Sequence, residues 1–299
     1  MKISIGSRGS KLALWQAEWV KAQLLRAGHQ VEIQIIRTAG DKLPNIPLTS
    51  GRTKGLFIKE IEEALLDGRV DLAVHSMKDL PVEQPQGLGV AAVPERADAR
   101  DVLISRESRP FTQLAAGARI GTSSLRRSSQ LAALRCDVSI VPIRGNVDTR
   151  LAKLDRGEFD AIALAAAGLT RLGFASRITQ HFTIDEICPA VGQGALAIEI
   201  REDAKAIAQA IEPLDHAPSH QAVRAERALL RRLGGGCAVP IAAHATPQDG
   251  HLRLLGVVAS IDGTRVIRAT AHAPVDDAER LGWNVAEDLL KQGAQEILV

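Results

Sequence analysis

An ammonium and a carboxylate stand side by side in Val74-His75-Ser76-Met77-Lys78-Asp79-Leu80-Pro81, just after residues 70–75, which read as a strand. Ligands of open α/β sheets bind beyond the carboxyl ends of the strands. There a carboxylate beside a cation can act as an acid, a base or a stabiliser of positive charge. It can equally be an ordinary strand-end ion pair, and this segment alone favours that reading. In Gly121-Thr122-Ser123-Ser124-Leu125-Arg126-Arg127 a strand ends and a helix opens. Free amides, hydroxyls and two guanidiniums make an anion site there, or a well-capped helix with two solvated arginines. The Gly-Lys-Ser/Thr ending of a nucleotide-phosphate loop is missing. Arg144-Gly145-Asn146-Val147-Asp148-Thr149-Arg150 repeats the layout, Arg171 follows, and Arg8 sits with Ser7 and Ser10 at the first strand-to-helix turn. Singly, each arginine reads as surface. Their recurrence where loops leave strand tips points to one polyanionic ligand, because guanidiniums match carboxylates with two parallel bonds.

Gly234-Gly235-Gly236-Cys237 places a thiol after a flexible turn. Such a thiol is a nucleophile or a covalent tether, but a free Cys is more often buried and inert. The residue chemistry leaves both readings of Cys237 open; Cys136 and Cys188 read as inert. The nucleophile-elbow, zincin and dinucleotide motifs do not occur. His216 and His220 are four apart, with Pro218 between them and no third ligand evident, so no metal is expected.

The elements that must carry these residues follow from hydrophobic periodicity. Strands are expected at 2–6, 31–36, 70–75 and 88–93, with helices at 10–27 and 58–66. The loop 41–55 is rich in Pro, Gly, Thr and Ser. After a polar, hinge-like stretch at 94–100 the pattern restarts, with strands at 101–104, 119–121, 139–141 and 161–164 and helices at 124–134 and 147–154. A third part has helical patterns at 203–211 and 219–232, strand-like runs at 239–245, 252–259 and 265–272, and a closing helix at 277–291. Alternating strands and helices imply α/β lobes; flanked strand runs imply a small α+β domain. Two lobes joined by a hinge form a cleft for a small ligand.

Composition narrows the function. The 299 residues carry 37 Lys plus Arg against 35 Asp plus Glu, too balanced for a surface devoted to nucleic acid. Aromatic residues are 3% and Tyr is absent, which argues against base-stacking platforms. Three well-separated cysteines fit a reducing compartment. The opening residues move directly into a strand with no export segment, and no apolar run is long enough for a bilayer. A cytoplasmic protein with no membrane partner is expected.

Together the motifs identify a resemblance. Gly6-Ser7-Arg8-Gly9-Ser10-Lys11-Leu12-Ala13-Leu14-Trp15-Gln16-Ala17, Lys54-Gly55-Leu56-Phe57-Ile58-Lys59-Glu60, His75 to Pro81, Gly121 to Arg127, Arg144 to Arg150, Gly192-Gln193-Gly194 and Gly235-Gly236-Cys237 run in the order of the porphobilinogen deaminase family, over nearly the whole length. The resemblance implies a transferase of haem and tetrapyrrole biosynthesis. It would join four porphobilinogens head to tail into hydroxymethylbilane, with release of four ammonia. It also implies a dipyrromethane cofactor held by thioether to Cys237. The implied fold has two lobes like those of periplasmic binding proteins plus a third small domain: residues 1–94 with 195–213, residues 100–190, and residues 216–299.

The family's catalytic aspartate matches Asp79. Its cofactor-binding positions match Lys78, Asp79, Ser76, Thr122, Ser124, Arg126, Arg127, Arg144 and Arg150. Its substrate-binding positions match Arg8, Ser10, Lys54, Phe57, Arg144, Arg150, Arg171 and Gln193. Its partners are porphobilinogen and the growing polypyrrole chain, and it implies a monomer. The chemistry is consistent: each porphobilinogen carries two carboxylates for the arginines, and a carboxylate at the pyrrole N–H groups stabilises the cation left when ammonia departs. A two-lobed, non-catalytic binding protein for a small acid would explain the lobes and arginines but not Cys237. A transcriptional effector module lacks a DNA-binding extension.

Overall fold

The structure is a computed structural model that describes residues 1–42, 58–235 and 239–298. Lys54, Phe57 and Cys237, with most of the loop 41–55, lie outside the described residues. The elements run β1 (Lys2–Ser7), α1 (Lys11–Arg26), β2 (Gln30–Ile35), α2 (Ala39–Lys42), α3 (Lys59–Leu66), β3 (Leu72–Ser76), β4 (Leu88–Ala92), β5 (Asp101–Ser105), β6 (Arg119–Gly121), α4 (Leu125–Leu134), β7 (Ser139–Val141), α5 (Val147–Asp155), β8 (Ala161–Ala165), α6 (Ala166–Arg171) and β9 (Gln180–His181). They continue with β10 (Leu196–Arg201), α7 (Lys205–Ile211), α8 (Ala217–Arg232), β11 (Ile241–Gln248), β12 (His251–Ala259), β13 (Val266–Pro274) and α9 (Ala278–Lys291).

The chain divides into two compact units. One joins Met1–Ala97 to Ala195–His220; the other joins Asp98–Gly194 to the chain from Gln221 onward. The first holds a sheet of order β2-β1-β3-β10-β4. β1 pairs in parallel with β2 and β3, while β10 lies antiparallel between β3 and β4. Ser10 starts α1 by accepting a hydrogen bond from the Ala13 amide at 3.3 Å, a serine N-cap. Val20 and Leu24 then fall one turn apart on the face buried against Ile3, Ile5 and Leu72. Each such burial stabilises by about 1.5–3 kcal/mol. α3 packs Ile61, Ala64 and Leu65 against Ala73 and Leu88.

The second unit repeats the layout in the order β7-β6-β8-β5-β9, with β6 parallel to β7 and β8 and β5 antiparallel to β8. It also contains the three-stranded antiparallel sheet β11-β12-β13. In β13 Ile267, Ala269, Ala271 and Ala273 pack on the core, the two-residue period of a strand with one solvated face. α8 and α9 cover that face with Ala225, Leu229, Leu281, Val285 and Leu289.

Mixed α/β architecture with a third small sheet agrees with the sequence reading, but β10, α6 and β9 were not expected. β10 is a short apolar run directly after the turn-rich residues 188–194, and the strands it joins lie far back in the chain. α6 and β9 are too short to show a period.

α8 and α9 approach closely at Gly282, where a Cβ would collide with the Ala225 carbonyl oxygen and the Ala228 methyl group. Alanine at this helical position gains about 1 kcal/mol in propensity. The backbone oxygen cannot swing aside, and overpacking of this kind costs about 1–3 kcal/mol. Gly282→Ala is therefore expected to be neutral at best, and Gly282→Val to lower stability by the full cost, read from the urea midpoint.

Candidate functional site

In the first unit, β3 delivers Ser76 and the single 3₁₀ turn Met77–Asp79 that follows it. A pocket opens there between the start of α1 and the end of β3, lined among others by Arg8, Ser10, Gln16, His75, Ser76 and Asp79. Arg8, Ser10, Ser76 and Asp79, expected from sequence, therefore come together. Asp79 is exposed and Lys78 half-buried. The Gln16 side-chain amide donates to the Ser76 hydroxyl at 2.8 Å, fixing the floor. Gln16 is buried; the sequence reading placed it within the run from Gly6 to Ala17 but gave it no role.

In the second unit the arginines gather around a residue that the sequence reading passed over. Asp101, at the start of β5, is fully buried. Arg126 donates from Nη1 to Asp101 Oδ2 and to the Cys188 carbonyl, both at 2.6 Å. Arg127 donates from Nε to Asp101 Oδ1 at 2.7 Å and from Nη2 to Gln193 Oε1 at 3.2 Å. Gln193 in turn donates to Asp101 Oδ1 at 2.9 Å and to the Ala99 carbonyl at 2.7 Å. Arg126 and Arg127 are 5% and 6% exposed, so neither is the solvated surface arginine that the sequence left possible. Burial pushes the Asp101 carboxyl up, but the two guanidiniums outweigh it and hold the group at about 2. The signal in the sequence was an acidic residue heading the otherwise apolar run Val102-Leu103-Ile104.

Two guanidiniums against one carboxylate leave a positive excess, and other arginines add to it. Gly145, at φ 110°, turns the chain between Arg144 and Asn146, and its carbonyl accepts from Arg150 Nε at 2.8 Å. Burial, then the neighbouring charge of Arg127, lowers the Arg150 guanidinium to about 10; burial brings Arg171 to about 10. Both still carry a proton at neutral pH. Arg171 donates to the Gly194 carbonyl at 2.7 Å, so the residue after Gln193 ties it to the same loop. The Thr122 hydroxyl accepts from the Ser124 amide at 3.2 Å, and Ser123 accepts from Ile143 N at 3.1 Å, joining the two strand-end loops that present Arg126 and Arg144. Half-buried guanidiniums of this kind suit an anion with several carboxylates.

Glu226 on α8 is a second residue the sequence did not flag. Fully buried, it accepts from the Gly192 amide at 2.7 Å and the Ala245 amide at 2.8 Å, fastening the Gln193 loop to β11. Cys188 is buried against Ala242 and Leu255, and burial pushes its thiol up, so it is no nucleophile. His216 and His220 bond Ser219 and Asp215, each at 2.8 Å.

Asp101→Asn leaves two buried guanidiniums facing a neutral amide. Removing one partner of a buried ion pair costs about 3–5 kcal/mol. Because the folded-state pKa lies below the unfolded value, the native Asp101 contributes its stability above about pH 4 and loses it as the pH falls toward 2. Denaturant melts across this range should show a large deficit for Asp101→Asn at pH 7 that narrows toward pH 2.

Comparison with known proteins gives a consistent answer. Residues 3–209 match the family model described as porphobilinogen deaminase, dipyromethane cofactor binding domain, and residues 220–291 match the porphobilinogen deaminase C-terminal domain. The chain is 52% identical over 298 residues to the porphobilinogen deaminase of Syntrophotalea carbinolica, covering 99% of this chain and 95% of that one. It is 52% identical over 299 residues to that of Geobacter metallireducens, covering 99% and 94%. Among solved structures, a Salmonella typhimurium periplasmic binding protein with high arginine specificity aligns at 12% identity and a TM-score of 0.42, over 71% of this chain and 91% of that one. With two family models spanning most of its length and relatives at half identity end to end, the chain belongs to the porphobilinogen deaminase family.

Proposed function

We propose that this protein joins four porphobilinogen molecules head to tail into hydroxymethylbilane, releasing four ammonia, with Asp79 as the catalytic carboxylate and Cys237 as the anchor of a dipyrromethane primer. The observation that carries the reading is the buried excess of guanidinium charge around Asp101. Every pyrrole unit bears an acetate and a propionate, so primer and product are polycarboxylates, and Arg126, Arg127, Arg144, Arg150 and Arg171 supply matching forks. The donor set also suits the primer, because Asp79 offers a carboxylate to pyrrole N–H groups and Ser76, Thr122 and Ser124 offer hydroxyls. When bound, the primer supplies the nucleophilic pyrrole carbon from which the chain is extended.

In this reading Arg8, Ser10, Gln193, Lys54 and Phe57 hold the incoming porphobilinogen, and Lys78 pairs with a carboxylate near Asp79. Asp79 stands in the pocket beside Arg8, where its negative charge stabilises the azafulvenium cation that forms as the substrate loses ammonia. A charge at the pocket mouth, open to water, also receives and passes on protons. Residues 216–299 act as the part that carries the primer, residues 1–94 with 195–213 as the Asp79 lobe and residues 100–190 as the arginine lobe. In this reading the protein is a cytoplasmic monomer with no nucleic-acid or membrane partner; the balanced charge argues against a nucleic-acid surface, and no helix among the described residues is long and apolar enough to cross a membrane.

The test is intact mass with porphobilinogen turnover: a mass above the sequence value by one dipyrromethane, with ammonia release, separates this reading from a non-catalytic acid-binding protein. Cys237→Ser should be folded, should lack the added mass and should have little activity, because no base in the motif activates the hydroxyl. Cys136→Ser and Cys188→Ser should keep it. In single-turnover ammonia release by primer-loaded enzyme, Asp79→Asn should be slower by at least roughly 10²-fold, the scale of losing a main acid/base or electrostatic stabiliser. Asp79→Glu should retain more activity than Asp79→Asn, since it keeps the charge; equal rates for Asp79→Asn and the parent would reduce Asp79 to a strand-end residue.

A further inference from the structure

Behind the Asp79 pocket lies a group of titratable side chains that the mechanism above does not use. His75, the residue before Ser76 on β3, lines the pocket yet is only 6% exposed. Its Nε2 lies 3.0 Å from Oε2 of Glu199 on β10, which is fully buried. The two residues are diagonal neighbours in the antiparallel ladder, since His75 sits opposite Ala197 and Glu199 opposite Ala73. The Gln84 side-chain amide donates to the other Glu199 oxygen at 2.9 Å. Above this pair, α3 brings in Glu62, which is nine-tenths buried and whose Oε1 has no hydrogen-bond partner among the described residues. A buried carboxylate oxygen left without a donor costs free energy, and a bound proton relieves it.

Among the described residues no lysine or arginine pairs with Glu62 or Glu199, although Arg8 lines the same pocket as His75. α3 packs on β1, β3, β4 and β10. β3 contributes His75 and β10 contributes Glu199 and Arg201, whose guanidinium donates to the Leu65 carbonyl. β1 contributes Lys2, exposed and paired with Glu32, and β4 has no titratable side chain. On α3 itself Glu60 accepts from the Ala39 amide, and Lys59 and Glu63 pair at the surface. Two carboxylates thus share a dry region with one imidazole. Burial first, and the charge of Glu199 second, raise the Glu62 carboxyl to about 7, against a smaller lowering by His75.

We propose that Glu62, Glu199 and His75 form a proton-holding site behind the Asp79 pocket, whose occupancy sets the charge beneath the reacting groups. Glu62 and Glu199 act through His75 and are positioning residues. The placement suits a reaction in which every condensation frees a proton from the pyrrole carbon, because the site lies one side chain behind the pocket that Asp79 lines. The link to catalysis rests on reading the pocket as the place of condensation; the proton site itself does not.

The test has two arms on the primer-loaded protein. With glutamate labelled by ¹³C at the side-chain carboxyl, one NMR signal should titrate near pH 7, far above the ordinary glutamate range of about 4.3, and should vanish in Glu62→Gln. The pH profile of single-turnover ammonia release should show an inflection near 7 that Glu62→Gln abolishes and Glu62→Asp restores. A merely structural Glu62 would lower the rate by the same factor at every pH, which overturns the link to catalysis. A parent protein with no glutamate signal titrating between pH 6 and 8 overturns the proton site, and that measurement requires neither a folded variant nor turnover.

Discussion

One carboxylate with two oxygens holds two consecutive arginines. Arg126 and Arg127 leave the first turn of α4 about 100° apart around the helix axis, so their guanidiniums approach a common partner from different directions. Asp101 meets both by giving one oxygen to each. Much of the second unit's site follows from that contact. The Cys188 carbonyl takes the second bond from Arg126, Gln193 closes the network on Arg127, and Glu226 pins the loop that carries Gln193. A helix start, a strand start and a loop are fixed by one buried charge, which still leaves a positive excess for an acidic ligand.

The first unit's pocket mixes both signs, with the Arg8 guanidinium lining it together with Asp79. It presents Asp79 at the mouth, with Glu199 and Glu62 in the dry layer behind. The proposed substrate asks for both environments, being an amine that leaves a cation and a dicarboxylate that needs guanidiniums. The first unit's pocket sets one guanidinium beside a carboxylate and the second unit concentrates guanidiniums, although the two sheets share a strand layout.

Much of this could be read from residue order. Helices such as Lys11–Arg26 and the strands of both lobes other than β9 and β10 followed from periodicity, and the Arg8, Ser76 and Asp79 positions followed from their place at strand tips. The unread parts depend on distant partners. Whether Arg126 is solvated or buried is decided by Asp101, 25 positions earlier, and an aspartate at a strand start resembles any loop acid. His75 read as one member of a motif, because Glu199 is 124 positions away on a strand that periodicity did not reveal. Ser10 was assigned to ligand binding; it also caps α1, a role visible in its place just before the apolar helical pattern.

The insertion of β10 between β3 and β4 bears on how the protein is made. β4 touches its sheet only through β10, and between them in the chain lies Asp98–Gly194, which belongs to the other unit. On a ribosome adding roughly 5–20 residues per second, the amino-terminal strands therefore emerge and wait for several seconds with one edge of β3 bare and β4 unpaired. The second lobe can complete its own five strands during that interval. The sheet that begins the chain is thus not the first to be completed, and the nascent protein must shield an open β edge until Leu196–Arg201 arrives to close it.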